Sequence, residues 1–213
     1  MEERGPSGGR PNDRAITAIW LFPPRLATSQ AMSSFDFLDG LDAVPPTPIL
    51  IAPHPVLRQV ARPVRPEDMD ALRAALPGMF SAMYAAPGIG LAAPQVGIGL
   101  RFALVDISEE DQRNPIVLIN PEIVSESEEM AVREEGCLSL PNQYADVIRP
   151  HAVRVRYRTV DGAEEERDVD ELLATCIQHE MDHLDGILFV DHLSTLKRNM
   201  IMRRLAKEQK ARR

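Results

Sequence analysis

The sequence predicts an α+β domain in which mostly antiparallel sheets pack around a central helix, with further helices near each end. Three patterns carry this prediction: helical apolar spacing over Met69–Tyr84, β-like runs between residues 101 and 159, and a second helical pattern over Asp170–Leu184. The β-like runs lack the regular helical crossovers of a doubly wound parallel sheet. The chain has 213 residues, of which 44% are hydrophobic, so it can bury a substantial core.

The three predicted helices differ in how clearly they are bounded. Pro77 and Gly78 interrupt the first, which predicts a kink or two shorter helices. The second ends at Gly186, a residue suited to a helix C-cap. A third helix is expected over Ser194–Ala211.

Three runs of residues have the composition of strands. They are Arg101–Asp106, Ile116–Asn120 and Val153–Thr159, and in the last of these apolar residues alternate with arginines. Asp161 and Gly162 then supply a turn, so the segment that follows is expected to pair back.

The charge of the chain is unevenly distributed. The net charge of −8 argues against a general nucleic-acid binder, yet the residues from Lys197 onward include eight bases and one acid, Glu208. A basic tail on an acidic body suggests one local anionic partner. The longest uncharged apolar run, Ala15–Pro24, is too short for a membrane span, and two cysteines cannot form a disulfide framework.

The strongest chemical signal is an H-E-x-x-H run over His179–His183. Two histidines four residues apart lie on one face of a helix and can hold one metal ion. Glu180 lies close enough to this face to act as general base on a metal-bound water.

A catalytic metal of this kind needs a third protein ligand. Phe189 stands where a metzincin would carry histidine, and Glu208 is the only candidate for a gluzincin-type ligand. Cys176 is seven residues from His183, about 10.5 Å along the helix axis, which is too far for one ion. Cys137, which follows a glycine and precedes a β-like run, is the favoured third ligand.

A glycine-rich loop, Gly88–Gln95, forms a third motif. Its small residues would let a substrate backbone approach closely, and the amide of Gln95 could donate to an oxyanion. It lacks the G-K-[ST] ending of a phosphate-binding loop.

Together the motifs resemble those of the bacterial-type peptide deformylases. That family is marked by a G-x-G-L-A-A-x-Q loop, an E-G-C-L-S segment and a Q-H-E-x-D-H helix. This chain has Gly88–Gln95, Glu135–Ser139 and Gln178–His183 in the same order. The resemblance extends from about Ile49 to Leu205.

The resemblance implies a hydrolase that removes the formyl group from N-formylmethionine at the start of newly made polypeptides. A metal-bound water would attack the formyl carbon, with Glu180 as general base and acid, while the Gln95 side chain and the Leu138 N–H hold the oxyanion. One divalent ion would be bound, usually Fe²⁺ in this family; Zn²⁺, Ni²⁺ and Co²⁺ remain open from the residues alone. Its ligands would be Cys137, His179 and His183.

The resemblance also implies where peptides and partners bind. The peptide groove would be lined by Ile89, Gly90 and Leu91, and the methionine pocket by Leu172 and Cys176. Tyr144 lies near the place where many members carry a peptide-holding arginine, and it would stack on the substrate instead. The basic C-terminal helix would dock on the ribosome, while no membrane or sequence-specific nucleic acid is expected as a partner.

The predicted organisation is one catalytic domain with an extension. Residues 1–47 are expected to be a disordered or variable N-terminal extension, 48–193 the metallohydrolase domain, and 194–213 a basic helix of the same domain. Glu2 and Glu3 argue against secretory or organellar targeting, so the expected location is the cytoplasm.

Two other functions stay open from the residues. A zinc endopeptidase would use the same water and glutamate chemistry but would cleave unformylated peptides. A non-catalytic ribosome-associated protein would close a structural metal site with a fourth side chain. For the latter the remaining histidines, His54, His151 and His192, are spread over predicted loops.

Overall fold

The computed structural model describes residues 36–108 and 113–211 of the chain. In these residues a series of strands leads from a first helix to two later helices. The elements are α1 (Met69–Ala85), β1 (Gly90–Ala92), β2 (Phe102–Val105), β3 (Ile116–Glu126), β4 (Met130–Cys137), β5 (Leu140–Pro150), β6 (Ala152–Arg158), β7 (Glu164–Asp170), α2 (Glu171–Leu184) and α3 (Thr195–Ala211).

The strands form two antiparallel sheets. Five strands pair in the order β1-β2-β3-β6-β7, and β4 pairs with β5 in a separate hairpin. The predicted turn at Asp161–Gly162 joins β6 to β7, which pair as expected. The predicted α+β class with antiparallel sheets is confirmed.

The larger sheet is covered on both faces, and the residues of β2 show this directly. Phe102 and Leu104 lie in the hydrophobic cluster formed with α1, whereas Val105 lies in the cluster formed with α2. Successive strand residues point to opposite faces, so a strand between two helices is apolar throughout rather than alternating.

Helix α2 lies between the larger sheet and the β4–β5 hairpin. Its apolar side places Ile177 and Met181 against Val155 of the larger sheet. On the hairpin side, the side chain of Gln178 donates to the Pro150 carbonyl at 3.0 Å. The segment predicted to bind metal is therefore held between two layers.

Helix α1 continues through Pro77 rather than dividing into two helices. A proline removes one hydrogen bond of the helix, but Leu76 and Phe80 on either side are fully buried and hold the segment in place. Gly78 serves a different purpose: its carbonyl accepts from the Thr47 N–H at 3.0 Å, and a Cβ at this position would collide with Thr47.

The predicted N-terminal extension lies largely outside the described residues, which start at Asp36. Within its described part, Asp36–Ala43 form a 3-10 helix whose Leu41 is buried in the cluster with α1. Ser81 of α1 donates to the carbonyl of Val44. Contacts with the core therefore begin before residue 48.

None of the three runs with strand composition falls on β1, β4 or β5; the only sign of β5 is the β-like run that follows Cys137. The three residues of β1 are too few to show a period, and the hairpin contains Gly136, Pro141 and Pro150. None of the helices in the described ranges has the length and apolarity needed to cross a bilayer.

Candidate metal centre

Three side chains predicted to bind metal converge in the structure. Potential ligand atoms of Cys137, His179 and His183 all lie within 4.8 Å of one another. The thiol sulfur of Cys137 is 3.2 Å from Nε2 of His183. One thiolate and two imidazoles suit a tetrahedral ion such as zinc, or ferrous iron, and leave a position open for a reactant.

Two separate elements supply these ligands. The histidines project from one face of α2, as their spacing of four requires. Cys137 ends β4, where the pairing register with β5 shifts between Gly136 and Cys137. Such an irregularity re-aims a side chain at the end of a strand.

The ring of His179 is oriented by a buried carboxylate. Its Nδ1 lies 2.8 Å from Glu135, whose carboxylate also accepts two hydrogen bonds from Arg149, at 2.5 and 3.0 Å. Arg149 in turn reaches Asp182 at 2.9 Å. Burial alone would raise the pKa of Glu135, but the hydrogen bonds from His179 and Arg149 lower it to about 2.

An ionised Glu135 fixes which nitrogen of His179 carries the proton. The carboxylate can only accept, so Nδ1 donates to it and Nε2 is left with a lone pair for a metal ion. The donor set and this fixed tautomer both fit a divalent ion. By contrast, burial raises the pKa of the Cys176 thiol, which donates to the Ile89 carbonyl at 3.4 Å and is not among the converging ligands.

Glu180 is buried beside the ligands, and residues 36–108 and 113–211 supply no ion-pair partner for it. Its Oε2 is inaccessible to solvent and has no hydrogen-bond partner among the described residues. Burial raises the pKa of this carboxyl to about 7. The carboxylate packs directly on Gly90 of β1, where a Cβ would collide with it.

The amide of Gln95 is held in a fixed orientation. Its oxygen accepts from the Ala92 N–H at 2.8 Å, so its nitrogen points to Ser139 at 3.2 Å and to Cys137 at 3.6 Å. Leu138 follows Cys137 in the turn between β4 and β5. The amide nitrogen of Gln95 is thus directed to the space beside the ligands.

A cavity of about 700 Å³ opens onto this centre. Most of the residues predicted to bind peptide line it: Ile89, Gly90, Leu172, Cys176 and Tyr144. The exception is Leu91, whose side chain is fully buried in the cluster with α1. Successive residues of β1 point alternately to the core and to the α2 side, and Leu91 is one that points to the core.

Sequence patterns missed the residues that support the ligands. Glu135 enters the sequence prediction only as part of a motif, and no sequence pattern indicates Arg149. Arg149 lies on a strand that no periodicity revealed, and its contact with Glu135 joins two strands. The one signal that marks such a pair is a charged residue at an inward-facing position of a strand. This signal can be used only when the strands themselves are already known.

Comparison with known proteins places this chain in a family. The model of the polypeptide deformylase family matches residues 46–199. A peptide deformylase of Rhizorhabdus wittichii is 52% identical over 170 residues, which cover 77% of this chain and 96% of that protein.

Solved structures agree. A peptide deformylase from Legionella pneumophila has a TM-score of 0.73 at 43% identity, covering 78% of this chain and 97% of that one. One from Synechococcus elongatus, in complex with actinonin, has a TM-score of 0.71 at 44% identity, covering 76% and 89% respectively. This chain therefore belongs to the peptide deformylase family of enzymes.

Proposed function

We propose that this enzyme removes the formyl group from N-formylmethionine at the N-terminus of newly made polypeptides. The observation that carries the proposal is the convergence of Cys137, His179 and His183 beside a buried carboxylate, Glu180, at the end of a cavity. The family match supports the same reaction.

The ligands proposed for the metal are the three converging side chains. A divalent ion held there would supply the activation of a water molecule at neutral pH. Ferrous iron is the proposed ion, with Zn²⁺, Ni²⁺ and Co²⁺ as alternatives, since a mixed thiolate and imidazole set accepts all four. Glu135 holds the His179 ring in the orientation that such a site requires.

Glu180 is the proposed general base and acid. Its free Oε2 is available to take a proton from the attacking water and to return it to the leaving amine. Because the carboxylate is wedged against Gly90, its position is set by the backbone of β1 rather than by a hydrogen-bonded side chain.

The proposed oxyanion donors are the side-chain amide of Gln95 and the backbone N–H of Leu138. The amide nitrogen already points toward the Cys137 sulfur, at 3.6 Å. A donor fixed in advance stabilises developing charge without a reorganisation cost.

The peptide is proposed to lie in the cavity along β1. This strand is at the edge of the larger sheet, so its outer backbone groups are available to an extended chain. The backbone groups of Ile89, Gly90 and Leu91 would then bind the peptide. A role through the backbone is compatible with the buried side chain of Leu91. Leu172 and Cys176 would wall the methionine pocket, and Tyr144, which is 62% exposed, would cover the peptide.

The domain limits and the partner are also proposals. Ile201 and Leu205 of α3 are buried with Leu140 and Val190, which supports one domain that includes the C-terminal helix. The exposed bases of α3 would dock on ribosomal RNA, and the site of action would be the cytoplasm.

The test is release of free amine from a formyl-Met peptide by anaerobically prepared protein. We expect turnover in the wild type and a loss of about 10² to 10⁴ in kcat for Glu180→Ala. Glu164→Ala, which removes an exposed glutamate of β7, is the matched control and should retain full activity. Absence of turnover with iron, nickel and cobalt, despite stoichiometric bound metal, would contradict the proposal.

A further inference from the structure

Arg133 is the one arginine or lysine among the described residues that line the cavity. It lies on β4, on the same face as Glu135, because alternate residues of a strand share a face. Its side chain is therefore directed to the side of β4 on which the metal centre lies. Neither the proposed metal site nor the proposed proton transfer uses it.

One N–H of the Arg133 side chain has no hydrogen-bond acceptor among the residues that the structure describes. Its Nε is inaccessible to solvent and has no hydrogen-bond partner in the described residues. The acids next to it in the chain do not supply one. Glu135 binds Arg149 and His179. Glu134 also lines the cavity, but alternate strand residues point to opposite faces, and among the described residues it makes no ion pair with Arg133. A buried N–H left without an acceptor is costly, and the cost is recovered when a ligand brings one.

The distance of Arg133 from the metal centre can be read along β4. Cys137 is four positions further along the strand, about 13 Å at ~3.3 Å per residue. Arg133 therefore lines the cavity at some distance from the proposed metal ligands.

A bound peptide would pass this point soon after its first residue. With the formyl group at the metal centre, an extended chain covers about 10 to 13 Å in three or four residues. The long side chain of Arg133 extends its reach toward the centre, so it can meet the second to fourth residues.

We propose that Arg133 makes the enzyme prefer nascent chains with an aspartate or glutamate at residues two to four. The carboxylate would accept hydrogen bonds from the guanidinium. The side chain has to turn for the Nε, which is inaccessible to solvent in the free protein, to take part. A carboxylate matches the planar donors of arginine better than any neutral side chain does. This inference rests on the proposed deformylase function.

The experiment compares peptide amides that differ by one charged group. Formyl-Met tetrapeptides carry aspartate or asparagine at position two, three or four, with alanine elsewhere, and their amidated ends remove the C-terminal charge. We expect kcat/KM for the preferred aspartate peptide to exceed that of its asparagine partner by about tenfold, mainly through KM. Added NaCl should reduce this ratio.

Three variants assign the preference to Arg133. Arg133→Gln should bring the ratio to about one, and Arg133→Lys should retain part of it because the charge remains. Arg154→Gln, which removes an exposed arginine of β6, should keep the wild-type ratio. Equal kcat/KM for both peptides at all positions, or a ratio that survives in Arg133→Gln, would overturn the proposal.

A binding measurement separates this inference from the proposed reaction. Calorimetry with metal-loaded protein and the deformylated peptides should show tighter binding of the aspartate form, and Arg133→Gln should abolish the difference. If no peptide is deformylated, the reaction is wrong, and this binding difference still decides the role of Arg133.

Discussion

Gly90 determines where the carboxylate of Glu180 lies. A Cβ at residue 90 would collide with that carboxylate and come within 2.9 Å of the Cys176 sulfur. The glycine is therefore needed for close approach of β1 to α2, since its backbone pairs with β2 in the ordinary way. The absence of one methyl group leaves the space in which the proposed base sits.

Gly90→Ala should lower kcat/KM by about 10²-fold, because displacement of a catalytic group by about 1 Å has this effect. Steady-state deformylation of a formyl-Met peptide measures it. Gly99→Ala is the matched control, since a Cβ there meets nothing within 4 Å. Unchanged kinetics in Gly90→Ala would mean that the carboxylate can move aside without consequence.

Individual residues of the site were predictable from sequence to very different degrees. The spacing of His179 and His183 specifies one helical face, so their convergence follows from local geometry. Cys137 joins them from another layer, and only the need for a third ligand and the resemblance indicated it. No local pattern encodes Arg149, because its partners Glu135 and Asp182 belong to other elements.

At the scale of elements, the β4–β5 hairpin and α2 are joined by a buried ionic network. The side chains of Arg149 and Glu135 are 6% and 5% exposed, so neither could be left unpaired without a large desolvation cost. Arg149 also reaches Asp182, which lies on α2 between the two histidines. The network ties the strand that ends at Cys137 to the helix that carries the other ligands.

Arg149→Ala should lower the free energy of unfolding by about 3 to 5 kcal/mol, because it strands a buried carboxylate. It should also weaken metal binding about 10- to 100-fold through the His179 ring. Urea denaturation of the metal-free protein and a chelator competition measure the two effects. Arg154→Ala removes an exposed ion pair and should change neither; equal effects of both substitutions would argue against the network.

The elements themselves were predictable where they are long and periodic. All three helices and the strands β2, β3 and β6 follow runs identified in the sequence, although β3 extends to Glu126, beyond its apolar run. The pairing of β4 with β5 was not predicted, because the inward-facing residues of the hairpin include Arg133, Glu135 and Arg149. Those charges belong to the site, and they disguise the alternation that marks a strand.

At the scale of the whole molecule, the basic residues near the C-terminus lie on one helix, α3. Helix α3 buries Ile201 and Leu205 in the core and exposes its bases. Removing the helix would therefore remove core packing along with charge. Neutralising the exposed bases is the cleaner way to test the proposed ribosome contact.

A variant with Arg203, Arg204, Lys207 and Lys210 changed to glutamine should keep its deformylase activity on free peptides. It should lose most of its co-sedimentation with ribosomes at low salt, since phosphate contacts dominate such binding and weaken as salt rises. The control neutralises Arg154, Arg156 and Arg158 on β6. Equal ribosome binding by wild type and the α3 variant would exclude docking through this helix.

The proposed metal ligands come from two elements, β4 and α2, that are far apart in the sequence. An ion that bound only the folded protein would raise the free energy of unfolding. The increase grows with the logarithm of the ratio of the ion concentration to the dissociation constant. Loss of the ion would leave the hairpin joined to α2 only by the ionic network and by packing, and would lower the cost of local opening there. Limited proteolysis with and without a chelator is therefore expected to cut the metal-free protein faster, and first where the hairpin meets α2.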